Sequence, residues 1–330
     1  MRELSLSQNF ALIALNAQDS CNMTIVKKIA LRCIAAAIVL EVYLDEGFDQ
    51  IGDEFLIEER MFDSDKFELY QEVLFKICLK KGNSVKGNLK WWLKKVATLR
   101  NSQLIKMEKA IVDSLKGMGI IEEIPNLLGC DLLYKDSGVI MKEYRSNVKE
   151  YTRITESTRA EILEEGPIYD ETIAMIWLLR ESGCLHDVFS NKELEGLSIR
   201  INNLYESEYL AKIIFEVNIH ETIELIVKNF LDIKKRIIKS EVGTGVNFIF
   251  PMIDRSQSIF IETEAWFENS NKRLEDIKKC LENEKHQYTV LREGKTPLIK
   301  IDNILYEAVP DAINSSGIAI HGIRLRKYPI

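Results

Sequence analysis

The stretch Ile29–Leu44, IALRCIAAAIVLEVYL, constrains this chain more than any other. Only Arg32 and Glu41 interrupt side chains that are otherwise apolar on every helical face. A helix that is apolar all round belongs inside a protein or inside a membrane. These 16 residues carry two charges and fall short of the roughly 20 apolar residues of a membrane span. The stretch therefore reads as the central, fully wrapped helix of a helical domain. Thr24 is placed to cap its start, and Asp45-Glu46-Gly47 to stop it.

Other helices announce themselves by caps and by 3.6-residue periodicity. Ser5-Leu6-Ser7-Gln8 fits a capping box ahead of Phe10, Leu12, Ile13 and Leu15. Amphipathic patterns predict helices over 66–81, about 88–99 and 103–118. A second apolar run, Ile173–Leu179, predicts another buried helix. Ser190-Asn191-Lys192-Glu193 is a further capping box. Helices are also expected over 208–216 and 221–239. Residues 48–62 alternate weakly and fit either a short strand or an irregular arm. The stretch 120–141, IIEEIPNLLGCDLLYKDSGVIM, reads as strand, turn, strand, turn, strand. Its first turn carries Ile124, Pro125, Asn126, Leu127 and Leu128, which are unusually apolar for a hairpin tip. Two readings stay open: the tip packs on its own domain, or it is an exposed contact surface. Beyond Gly243-Thr244-Gly245, strands are expected over 246–250, 258–263, 288–292, 298–301, 304–309 and 318–325 and a helix over 265–284, with turn signals at Glu293-Gly294 and Asp302-Asn303.

The net charge of -7 argues against general nucleic-acid binding. Residues 235–330 carry 15 Lys and Arg against 13 Asp and Glu, so the excess acid lies earlier in the chain. The six cysteines are scattered without a CxxC, so free thiols are expected and no metal site or cofactor is read from spacing. The opening MRELSLSQNF lacks a signal-peptide layout, which makes a cytoplasmic location the expectation. No nucleophile and base are nominated. His186-Asp187 and His321 are the histidines of local interest, and an enzyme in the C-terminal unit would need His321, Asp311 or Glu307 to converge in a cleft. A non-enzymatic protein is expected. Basic residues cluster in sequence instead: Lys27, Lys28 and Arg32 in the first turns of the central helix, Lys94, Lys95 and Arg100 near Trp91-Trp92, and the run Lys234, Lys235, Arg236 and Lys239. Such clusters suit either a solvated helix face or a phosphorylated head group.

The order of these motifs resembles the Golgi phosphoprotein 3 family. LSLSQNFALIALNAQDS is similar to that family's opening, and the run ending AAAIVLEVYLDEG to its central helix. MEKAIVDSLKGMGIIEE is similar to its entry into a β-hairpin, and YDETIAMIWLLRESGCLHDVFS to a later helix. The resemblance covers about residues 3–234. It implies a mainly α fold: a helical domain (1–242) around a central buried helix with one projecting β-hairpin, followed by a small α+β accessory domain (243–330). It implies a peripheral, phosphoinositide-binding adaptor whose hairpin contacts membrane or forms a homo-oligomer. The positions implied for its head-group Trp and Arg residues are here Val26, Ala35, Ile105 and Glu108, so Arg100, Lys106 or Lys109 would have to substitute. The expected partner is an anionic phospholipid head group, with a protein–protein scaffold as the alternative.

Overall fold

The computed structural model of the chain describes residues 3–63, 66–79, 83–135, 140–164, 166–219, 234–238, 248–252, 258–267, 269–315 and 318–328. The apolar stretch forms α2 (Ile25–Leu44), preceded by α1 (Leu6–Leu15). Ser5 Oγ accepts from the Gln8 amide and Gln8 Oε1 from the Ser5 amide, which completes the capping box. Thr24 Oγ1 accepts from the Lys27 amide at 3.1 Å. From Ile29 to Leu40 every residue of α2 is buried except Arg32. Around it pack α3 (Leu69–Leu79), α4 (Leu89–Ala97), α5 (Asn101–Gly117) and α7 (Asp170–Ser182). α6 (Val148–Leu163), the short α8 (Leu185–Val188), α9 (Asn191–Ser207) and α10 (Tyr209–Ile214) complete the helical part. Gly183, with φ of 74°, ends α7 in the left-handed conformation that glycine adopts without a Cβ penalty. No helix among the described residues is long and apolar enough to cross a membrane.

The expectation of a mainly α chain with a projecting hairpin is overturned; the chain is α+β throughout. Inside the helical part, β1 (Asp49–Ile51), β2 (Glu54–Glu58) and β3 (Ser84–Gly87) form a three-stranded antiparallel sheet. Ile57 of β2 is buried, and the Phe55 carbonyl accepts from Trp92 Nε1 at 3.0 Å. These strands are three to five residues long, too short to display a period-2 pattern. The hairpin consists of β4 (Ile121–Pro125) and β5 (Lys142–Ser146) only. The expected middle strand is a 3-10 turn, Leu127–Cys130. Of the expected helix 221–239, residues 221–233 and 239 lie outside the described residues, as does the glycine turn 243–245. Lys234–Ile238 is a strand, β6, paired with β7 (Phe248–Met252).

The C-terminal part is a five-stranded antiparallel sheet backed by one helix. The strands are β8 (Ile259–Glu262), β9 (Tyr288–Arg292), β10 (Leu298–Ile301), β11 (Ile304–Ser315) and β12 (Ile318–Lys327), in the order β8-β12-β11-β10-β9. The helix α11 (Ser270–Asn283) buries Leu274, Ile277 and Leu281 in this part's core. Asp302 and Asn303, with φ of 45° and 73°, make the two-residue turn from β10 to β11, the left-handed pair that a tight hairpin favours. Gly322, in β12, faces Glu262 across the ladder. A Cβ there would meet the Ile261 carbonyl oxygen and the Phe260 ring. Gly322→Ala is therefore expected to cost about 2 kcal/mol, read as a lowered urea midpoint with an unchanged slope.

Candidate functional site

The hairpin tip is covered by its own chain. Leu127 is 5% exposed and shares the C-terminal core with Ile259, Ile261, Leu274 and Leu281. Cys130 is buried there too, and Leu128 packs half-buried against it. Ile124 is buried, Asn126 is half-buried, and Pro125 is exposed. Asn126 Oδ1 accepts from the Leu128 amide at 2.8 Å and so shapes the turn. Asp131 extends the attachment by accepting from the Phe260 amide at 2.7 Å. Of the two readings of the tip, self-packing is the one the fold adopts, because an adjacent sheet offers the apolar tip a dry partner.

Beneath the tip, β5 meets the β10–β11 turn through buried polar groups. Arg145 donates to Asp302 Oδ1 at 3.1 Å, to the Lys285 carbonyl at 3.1 Å and to Glu122 at 2.9 Å. His286 Nδ1 lies 2.5 Å from Asp302 Oδ2. Asn303 Nδ2 donates to the Ser146 carbonyl at 2.8 Å and to Asn16 Oδ1 at 3.0 Å. Asn16 Nδ2 in turn donates to the Asp302 carbonyl at 3.0 Å. Glu143, buried beside them, accepts from the Leu127 amide at 3.3 Å. It makes no ion pair among the described residues. Loss of hydration, reinforced by the nearby Asp302 charge, pushes its carboxyl up to about 8.

The basic residues occupy a different part of the surface. Lys94 and Arg100 are exposed at the α4–α5 corner, and Lys106 and Lys109 are exposed along α5. None of these four makes an ion pair among the described residues. Lys95 is half-buried, with its ammonium 4.5 Å from the Trp91 ring centroid, an attractive cation–π distance. Trp91, beside Lys95, is 40% exposed, and Ile105, next to Lys106 in the chain, is 53% exposed. Lys28 is half-buried on α2. Arg32 belongs to the scaffold: it donates to the Leu99 carbonyl at 3.2 Å, and burial pulls its guanidinium below the ordinary value. That bond ties α2 to the same corner.

The positions that the resemblance assigns to head-group recognition do not form a cationic pocket. Ala35 is fully buried, and Val26 packs half-buried on the core. Glu108 is buried, paired with Lys27 at 2.7 Å and accepting from Tyr144 at 2.8 Å. A buried carboxylate already neutralised by its own lysine offers nothing to a phosphate.

The supposed C-terminal catalytic trio does not converge. Glu307 pairs with Arg292 at 3.4 Å, Asp311 pairs with Arg324, and His321 lies opposite Ala312 on β12. Asp187 pairs with Lys327, which binds α8 to the sheet.

One sequence signal for the basic surface went unread. Between Glu72 and Glu108 the chain has no Asp or Glu and nine Lys or Arg, in a protein whose net charge is -7. The run spans the end of α3, β3, α4 and the start of α5. Lys76, Lys86 and Lys90 are paired with Glu72, Glu54 and Glu216, and Lys80 and Lys81 lie outside the described residues. No protein-family model matches this chain, and no curated protein matches it significantly.

Proposed function

We propose that this chain is a non-enzymatic, peripheral adaptor of the cytoplasmic side that docks on anionic phospholipid through the α4–α5 corner. The observation that carries this reading is the acid-free run, with exposed Trp91 and Ile105 among Lys94, Lys95, Arg100, Lys106 and Lys109. Each cation near an anionic leaflet contributes on the order of 1 kcal/mol. Partial burial of the two apolar side chains at about 25 cal/mol per Å² adds a little more. Binding is then weak and reversible, and it fades as salt shortens the Debye length to about 8 Å. The hairpin tip takes no part, because Ile124 and Leu127 are buried.

The test is co-sedimentation of the full chain with vesicles of phosphatidylcholine alone, with phosphatidylserine, and with phosphatidylinositol 4-phosphate, at low and moderate salt. Binding is expected to follow total negative charge. The triple substitution Lys94→Glu, Lys95→Glu and Arg100→Glu should weaken it by ~100-fold or more, since each reversal removes one attraction and adds one repulsion. Unchanged binding by the triple variant would defeat the proposal.

A protein–protein scaffold is the second reading. What favours it is a cleft of about 370 Å³ beside the hairpin, lined in part by Tyr134 at 43% and Ile140 at 74% exposed. A native chain that ignores every vesicle would favour this second reading.

A further inference from the structure

Glu143, His286 and Asp302 each offer one donor atom, and the three atoms lie within 4.8 Å of one another. All three residues are buried, and the His286 ring is fully buried. Two features of the cluster are unexplained by the protein alone. First, Glu143 is a buried carboxylate with no ion-pair partner among the described residues, facing the carboxylate of Asp302. Arg145 engages Asp302 and Glu122 and makes no ion pair with Glu143. Buried charges are paired or coordinate metals. Second, among the described residues His286 Nε2 and Asn303 Oδ1 are buried without a hydrogen-bond partner, as is Nε2 of Gln18, whose backbone pairs with Tyr144 on β5. Several unpartnered polar atoms around one charged cluster are rare, and an ion or a bridging water is the usual explanation.

We infer that Glu143, His286 and Asp302 form a binding site for a divalent transition-metal cation of the zinc type, fastening β5 to the β10–β11 turn. An imidazole together with two carboxylates suits zinc-like ions, whereas calcium and magnesium take oxygen ligands alone. Donor atoms around a tetrahedral zinc with bonds of 2.0–2.1 Å stand about 3.3 Å apart. The cluster therefore needs adjustments of about an ångström: the 2.5 Å contact of His286 Nδ1 with Asp302 opens to admit the cation, Glu143 closes in, and His286 Nε2, on the far side of the ring, is left to a bridging water. Arg145, held on the other Asp302 oxygen, fixes the orientation of that carboxylate as an outer partner. The cation would make the tip-to-sheet attachment metal-dependent.

The full chain, purified free of metal, is titrated with Co2+ as a spectroscopic probe and then with Zn2+ as competitor. Expected are one equivalent of Co2+ with visible d–d bands, no thiolate-to-metal charge-transfer absorption, displacement by Zn2+, and a rise in Tm of a few degrees on adding zinc. His286→Gln and Glu143→Gln should each weaken binding at least ~10-fold and abolish the Tm rise, whereas Cys21→Ser should change neither. Glu143→Gln is nearly isosteric, so it serves if His286→Gln does not fold. Thiolate charge-transfer bands, no binding by the native chain, or undiminished binding by Glu143→Gln would each overturn the assignment.

Discussion

Leu127→Asp is expected to detach the hairpin tip from the C-terminal sheet. Leu127 is buried with Ile259, Ile261 and the α11 residues Leu274 and Leu281. Losing its apolar burial costs about 2 kcal/mol. A carboxylate in that core adds several more, since the charged group that the Leu127 backbone already meets, Glu143, is another acid. The sum is about 5 kcal/mol, a large share of the stability of a typical domain. Limited proteolysis should show cleavage in the C-terminal part at urea concentrations that leave the native chain intact. Leu128→Asp, at a half-buried site, should show a much smaller effect. Vesicle binding through α4 and α5 should survive in both. A Leu127→Asp protein of native stability that had lost vesicle binding would restore the hairpin as the membrane contact.

Glu41→Leu should be about as damaging, at the centre of the helical part. Glu41 is one of two charges in the apolar stretch, and the fold surrounds its carboxylate with donors. The Ser7 amide donates to Oε2 at 2.8 Å, while Tyr70 Oη and Gln71 Nε2 donate to Oε1 at 2.7 and 2.5 Å. Burial and this carboxylate together raise the Tyr70 hydroxyl well above its ordinary range, so it stays a donor. Leucine would leave up to three buried donors without an acceptor, at about 1–3 kcal/mol each. A loss of about 4 kcal/mol in guanidinium unfolding is expected. Glu41→Gln, which keeps one acceptor oxygen, should lose about half of that. Equal stability of Glu41→Leu and the native chain would mean that these donors find other partners.

Helix starts were legible where a side chain caps the backbone within three residues. The caps at Ser5, Thr24 and Ser190 stand where their spacing placed them. The apolar stretches became α2 and α7 for the same reason, because all-round burial is written in composition over a few turns. The Asp302-Asn303 turn was legible too, since its chemistry is local. The C-terminal strands were legible as well, β9 and β10 with the bounds expected, whereas the short strands inside the helical part were harder. Residues 84–87 carry no pattern of their own and become β3 only because β2 lies beside them. The 221–239 reading failed over 234–238, where the strand partner is Phe248–Met252.

The sequence by itself determined a buried central helix, its caps, and the acid-free basic run, because each depends on neighbours along the chain. Tertiary structure decided which surface stays open. The apolar hairpin tip could face solvent or a sheet, and only the docking of the C-terminal strands chose the sheet. Likewise, Arg145 and Asp302 stand 157 positions apart in the chain, and no local spacing brings Glu143, His286 and Asp302 together. Long-range pairing puts the two acids and the imidazole in one dry place, where loss of hydration makes their charges count.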